Sequence, residues 1–437
     1  MLGPRLDAIR GHRDGDSVLI GGPPCQAYSL VGRARNRGVA GYVPEKDPKH
    51  FLYKEYVRVL RRLRPVAFVM ENVKGLLSAT VSGTSVLDQV LKDVQSAGRD
   101  GGYYLVALTA SRTASELFED VPRPQEFVIR AEDFGVPQAR HRVIIVGIRW
   151  DVLDAAGPKV TLPLLSDHTD PRAVVEDVLD GLPKLRSGIS QSNDSASDWA
   201  AAVREATRLI LGTSLHMTRD EERKFRERVR HISSRAEHLS RTLHESGSRP
   251  VRMATSSPRH LRDWLLDRRL TSVPNHHSRR HMRSDLARYL FAAVSGEVLG
   301  CSPKSEDYPP ELAPHHGNWE SGKFADRFRV QLKGRPATTV TSHISKDGHY
   351  FIHPDPEQCR SLTVREAARI QTFPDNYYFK GNRTQQYTQV GNAVPPYLAL
   401  RIGTALFSVL DAYRRTKAGR RASKHRPERR TLASQSA

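Results

Sequence analysis

Cys25 closes the run Val18-Leu19-Ile20-Gly21-Gly22-Pro23-Pro24-Cys25. Consecutive prolines fix φ at two positions, so the direction of the thiol is set before any substrate arrives. A thiol held in that way suits a nucleophile that must meet one atom from one face. An isolated cysteine after a turn is ordinarily a small buried hydrophobe; here the Gly-Gly-Pro-Pro context favours the nucleophile. A carboxylate, Glu71, follows a second apolar run, Val66–Met70, with Asn72 beside it. Taken alone, Glu71 reads better as a cap for the following turn. Gln138, Arg140 and Arg142 alternate, so an extended backbone puts them on one face. His276, His277 and His281 have no Cys or carboxylate at metal-ligand spacing, which makes basic polar surface their default reading and gives no metal site.

The elements that must position these groups alternate. Val18–Ile20 is a short buried strand, residues 51–64 form an amphipathic helix with Leu52, Tyr56, Leu60 and Leu63 on one face, and Pro65 stops it. Val66–Met70 is the next strand, residues 84–95 the next helix, and Tyr103–Thr109 and Val143–Ile148 further strands. Strand–helix–strand alternation predicts a parallel α/β sheet, with ligands gathering at the carboxyl ends of its strands. Cys25 and Glu71 both fall at such ends. Residues 30–48, with Arg33, Arg35 and Arg37, read as a basic loop, either an ordinary surface loop or one able to close over a phosphate backbone. Thr363-Val364-Arg365-Glu366 is a capping box opening a helix, and Gln389–Pro396 reads as a Gly/Pro-punctuated turn before a long apolar helix, Tyr397–Leu410. The sequence predicts four segments: 1–150, 151–330, 331–411, and a basic disordered tail over 412–437.

A net charge of +20 and a pI near 10.1 over 437 residues favour a polyanionic partner. Three cysteines without a C-x-x-C exclude a disulfide framework and suit a reducing cytoplasm. The sequence shows no apolar run of membrane-spanning length and no signal peptide, so no membrane partner is expected.

Together, Gly21-Gly22-Pro23-Pro24-Cys25-Gln26 with Ser29, Glu71-Asn72-Val73, Gln138-Ala139-Arg140-His141-Arg142, Leu362–Pro374 and Gly391-Asn392-Ala393-Val394 resemble the cytosine-C5 DNA methyltransferase family in order and rough spacing. The resemblance covers about residues 17–150 and 330–410. It implies double-stranded DNA as partner and S-adenosyl-L-methionine as cofactor. It also implies Cys25 adding to cytosine C6, Glu71 stabilising the ring, and Arg142, with Arg140 as neighbour, steadying the glutamate. Cofactor contacts are implied at Pro23, Asn392 and Ala393, and DNA contacts at Gln26, Ser29, Arg33 and Arg35. Residues 151–330 then correspond to the target-recognition region. A bacterial modification or defence system is the setting the resemblance implies. The alternatives are a catalytically incompetent DNA-binding fragment and an RNA methyltransferase of the same fold.

One departure qualifies the resemblance. The family carries its glycine-rich cofactor turn and two cofactor-holding carboxylates on strands before the cysteine strand, and residues 1–17 are too few for these. The expected fold is therefore a partial Rossmann-like methyltransferase sheet lacking the first strands, with an inserted, mostly helical target-recognition region. Val18–Ile20 would be an apolar edge without a neighbour. A start lying upstream, a separate chain supplying the missing strands, or a decayed fragment would each account for it.

Overall fold

The computed structural model describes residues 2–12, 16–24, 47–98, 101–109, 122–157, 164–165, 172–190, 194–247, 252–314 and 327–424. Cys25, Gln26, Ser29, Arg33 and Arg35 lie outside the described residues. The chain forms two compact units: residues 1–130, 141–166 and 400–437, and residues 131–140 and 167–399. Residues 331–399 thus group with 167–330, whereas the sequence reading assigned 331–411 to the catalytic core.

The first unit holds helix α1 (Leu2–His12), strand β1 (Val18–Gly21), helix α2 (Tyr53–Leu63), strand β2 (Ala67–Val73), helix α3 (Val86–Gln95), and strands β3 (Tyr103–Val106) and β4 (Val128–Arg130). Gln138–Ala139 forms the short strand β5 of the second unit, and the chain returns to the first as β6 (His141–Arg149). β1 and β2 are parallel, as expected, with Ile20 opposite Val69. β6, however, runs antiparallel to β2 on one side and to β3 and β4 on the other, so the sheet is mixed rather than parallel. Apolar periodicity marks β6 as a buried strand but carries no information on direction.

One face of this sheet packs Phe68, Met70, Leu105, Val143 and Ile145 against Tyr53, Val57 and Leu60 of α2 and Leu87, Val90, Leu91 and Val94 of α3. Helix α2 starts two residues later than expected, and the residues it buries are Tyr53, Val57, Leu60 and Leu63. Arg64 ends it in the left-handed region, at φ 48, ahead of Pro65. Helix α3 begins on Ser85, whose hydroxyl accepts from the Asp88 N–H. Gly147 lies against Phe68: a Cβ there would stand 2.0 Å from the ring.

β1 is an edge strand. Leu19 packs on the helical face, while Val18 and Ile20 point to the other. Along that other face Val69 and Val146 are buried, yet Ile20 at the end of the row is 75% exposed. Among the described residues no strand pairs with the outer edge of β1.

The second unit contains helices α4 (Val175–Leu179), α5 (Ala196–Gly212), α6 (Arg219–Thr242), α7 (Arg259–Leu265) and α8 (Arg283–Val298), strand β7 (Ala337–Thr338), and helices α9 (Val364–Ile370) and α10 (Arg383–Asn392). Trp199, Phe225, Ile232, Tyr289 and Phe291 join α5, α6 and α8 in one core. The capping box at Thr363 forms reciprocally with Glu366. Helix α11 (Pro396–Lys424) continues through residues 412–424, a stretch expected to be disordered. Contrary to the sequence reading, the helical stretch Arg383–Ala418 is long and apolar enough to cross a membrane by length and composition. Leu398, Ile402, Leu406 and Val409 are nonetheless buried at helical spacing, the pattern of a helix packed on protein.

Two of the histidines read as polar surface are buried. His276 bonds the Thr363 hydroxyl at 3.0 Å and the Pro183 carbonyl at 2.8 Å. His281 lies at 3.2 Å from the Ser361 hydroxyl. Among the described residues no cluster could hold a metal ion. Burial pulls His276 down to about 4, the Glu366 carboxylate working against it. Burial and the Arg360 cation pull His353 down to about 4 as well.

Two outcomes follow for stability. Replacing Gly147 by valine overpacks the Phe68 contact and is expected to cost about 1–3 kcal/mol in urea unfolding. The unfolded chain protonates His276 and His353 near 6.5, and the folded chain only near 4. Stability is therefore lost as pH falls through that window. His276→Gln is expected to unfold at lower temperature at pH 7 but to show a shallower decline of Tm towards pH 4.

Candidate active site

The C-terminal ends of β1 and β2 bring the first set of polar groups together. Glu71 projects from β2 on the face opposite α2 and α3, by parity with Val69. Register places Ile144 opposite Glu71 and puts Arg142 two residues away on the same side. The Arg142 Nε donates to Glu71 Oε1 at 3.0 Å, both side chains remaining partly accessible. Arg142 also donates to the His141 carbonyl at 2.8 Å, which fixes its guanidinium plane. Among the described residues, Oε2 of Glu71 carries no hydrogen bond.

The glycine pair serves the two faces of the sheet. A Cβ on Gly21 would lie 3.2 Å from the Tyr56 ring, and one on Gly22 would lie 3.0 Å from Glu71 Oε2 and 3.1 Å from its carbonyl oxygen. The backbone three residues before Cys25 therefore runs directly beside the carboxylate. The buried Asn72 side chain donates through Nδ2 to the Pro23 carbonyl at 3.4 Å, and its Oδ1 accepts from the Val73 N–H at 2.9 Å. The proline run is thus tied to β2.

Arg140 is placed differently from the expectation. Gln138 and Arg140 belong to the second unit and Arg142 to the first. Arg140 is buried in the second unit, donating to the Val340 carbonyl at 2.8 Å and the Gly391 carbonyl at 3.3 Å. Gln138 accepts from Val340 N–H at 2.8 Å and donates to Gln371 at 3.0 Å. Gly391 and Asn392 end helix α10 rather than forming a turn. Gly391 is required by contact: a Cβ there would stand 2.3 Å from the backbone at Thr341–Ser342. Gln371 donates to the carbonyls of Val390 and Ala393. Arg140, Gln138 and Gln371 together fix the segment carrying Asn392 and Ala393.

A strand-borne carboxylate held by an arginine beside a rigid proline run matches a particular class of enzyme. The family model for C-5 cytosine-specific DNA methylases matches residues 12–408, and the chain belongs to that family. A type II methyltransferase of Bacillus paralicheniformis, M.Bpa9945I, is 34% identical over 91% of this chain and 71% of its own length. M.DdeI of Desulfomicrobium norvegicum is 29% identical over 87% of this chain and 70% of that relative. DNA (cytosine-5)-methyltransferase 1 of Gallus gallus is 26% identical over 94% of this chain but only 26% of its own length.

Gly22→Ala tests how tightly the carboxylate is confined. The variant is expected to fold with a thermal midpoint within a few degrees of wild type, while its crystal structure shows the Arg142–Glu71 contact lengthened or broken.

Proposed function

We propose that this chain is a DNA cytosine-C5 methyltransferase acting on a cytosine extruded from double-stranded DNA. The observation that carries the reading is the Glu71–Arg142 pair beside Gly22, three residues before Cys25. Cytosine C6 lies inside the base stack, so the base must leave the duplex to be attacked. The Cys25 thiolate adds to C6, and the displaced electron pair makes C5 nucleophilic. Glu71 faces the base edge: its protonated carboxyl donates to N3 as charge builds there, and it accepts from the exocyclic amine. Arg142 holds the carboxylate in place and can reach base O2. Once C5 carries the methyl group it is tetrahedral, and loss of its remaining proton to a base breaks the S–C6 bond, restores the aromatic ring and frees the thiol. Arg140 acts at a distance, as a positioning residue for the Gly391–Ala393 segment.

S-adenosyl-L-methionine supplies an electrophilic methyl group in this chemistry. The described residues fit it only in part. Pro23 in the first unit, and Asn392 and Ala393 in the second, offer backbone and amide groups, and the Pro23 carbonyl is already occupied by Asn72. The open edge of β1, with Ile20 exposed, is where a further strand would add, from the same polypeptide or from a separate chain. That partial fit favours a second reading, a DNA-binding protein without methyl transfer. The helices within 151–330 suit target recognition, Gln26, Ser29, Arg33 and Arg35 suit DNA contact, and the type II relatives suit a role in modification in a bacterial cytoplasm.

Duplex DNA containing 5-fluorocytosine separates the readings, because loss of a C5 proton is impossible and the adduct persists. In the presence of the methyl donor the wild-type chain is expected to form a covalent adduct that survives denaturation, and Cys25→Ala none. Glu71→Gln is expected to slow adduct formation by about 10²- to 10⁴-fold. Failure of the wild-type chain to react, with DNA binding retained, would establish the second reading. Calorimetry with S-adenosyl-L-methionine alone measures how much of the cofactor site the chain carries.

A further inference from the structure

Two cavities of opposite character lie among the described residues of the second unit. One, of about 380 Å³, is lined by Glu176, Asp180, Asp355 and Glu366 with Lys184 and Lys333. The other, of about 520 Å³, has the Arg383 cation and no carboxylate among its described lining residues. It therefore favours an anion. Its size is that of a site for one small ligand, of roughly 300–1,000 Å³.

The walls of this second cavity are held rigidly. Ser246 and His277 face each other across an antiparallel bridge. Asn275, in the left-handed region at φ 60, exchanges two hydrogen bonds with the Phe379 backbone, at 3.1 and 3.0 Å. Arg365 donates to the Pro274 carbonyl at 3.0 Å. Phe379 is buried against Phe373 and Tyr377. Tyr378, between these anchored neighbours, turns outward: it is 61% exposed and makes no ring contact among the described residues. Arg383 is exposed and makes no ion pair among the described residues.

An outward aromatic ring on fixed backbone, an uncommitted guanidinium, and hydroxyl and imidazole groups converge on one space. That is the chemistry of nucleotide recognition. The ring stacks on a base, the guanidinium pairs with a phosphate, and Ser246, Ser272 and His277 can bond a base edge. We propose that this cavity holds one nucleotide of the DNA substrate other than the target cytosine, with Tyr378 stacking on its base and Arg383 pairing with its phosphate. The inference rests on the DNA substrate proposed above. None of the residues that line the cavity belongs to the Glu71–Arg142 set, so the two can fail separately.

The test uses the full chain and a fluorescent duplex containing a site that the wild-type protein modifies, found by bisulfite sequencing of DNA treated with it. Tyr378→Ala is expected to weaken binding by about 5- to 160-fold, the range for loss of one stacked base, and Tyr378→Phe to leave it within twofold. Arg383→Ala is expected to lower the slope of log affinity against log salt by about 1, whatever the sequence of the duplex. Each variant is checked by thermal unfolding to carry the wild-type fold. Affinity and salt slope unchanged in both alanine variants, while the wild-type chain still forms the 5-fluorocytosine adduct, would overturn the inference alone. A wild-type chain that binds no duplex overturns it together with the proposed function. Deoxycytidine monophosphate is the remaining arm: binding of the free nucleotide that Tyr378→Ala abolishes, without any change in duplex binding, would assign the cavity to a small molecule instead.

Discussion

The seven-residue antiparallel register between β2 and β6 is the constraint on which the site depends. It fixes which side chains of two strands, separated by some seventy residues of sequence, share a face. A slip of one residue would send Arg142 to the helical side, away from Glu71. The same register buries Phe68 against Gly147, so packing of the core and aim of the arginine are one specification. Asn72 extends it by tying the Pro23 carbonyl to β2, which transmits the sheet's rigidity into the run that ends at Cys25.

The second unit achieves its rigidity by another route. Arg360 pairs bidentately with Glu366, and Arg369 with Asp375, all four side chains essentially buried. Burial opposes ionisation of Glu366, but the Arg360 cation and its hydrogen bonds prevail and hold the carboxyl well below the usual range. Such pairs add little net stability over apolar replacements. They do restrict geometry, since each guanidinium also reaches a backbone carbonyl, of Leu185 for Arg360 and of Val178 for Arg369. Helix α9 is thereby clamped to segments nearly two hundred residues earlier in the chain.

Local chemistry made much of this legible from sequence. The capping box at Thr363, the proline stop after α2 and the apolar runs of β1, β2, β3 and β6 all appear near their expected places, because each is decided by neighbours a few residues away. Glu71 and Arg142 were found through motif order. What sequence could not supply was non-local. Periodicity is blind to the direction of β6. Arg140 alternates with Arg142 in sequence, yet the chain passes between units at that point and the two serve different structures. His276 and His281 read as surface because a histidine's burial depends on partners, Thr363, Pro183 and Ser361, that lie about eighty to ninety residues away. Gly391 reads as a turn former from its neighbours, while in the fold it lets the Thr341–Ser342 backbone approach helix α10.

Gly22 has a bearing on how such a protein can change over generations. Its missing side chain is what leaves room for the Glu71 carboxylate, so the two positions are not independent letters of the sequence. A larger residue at 22 arising first would displace the acid, and a shorter acid arising first would leave an empty space and an arginine without its partner. Neither intermediate is a neutral stepping stone. Drift at either position is therefore blocked by the other, and the glycine records the presence of the carboxylate as faithfully as the carboxylate itself.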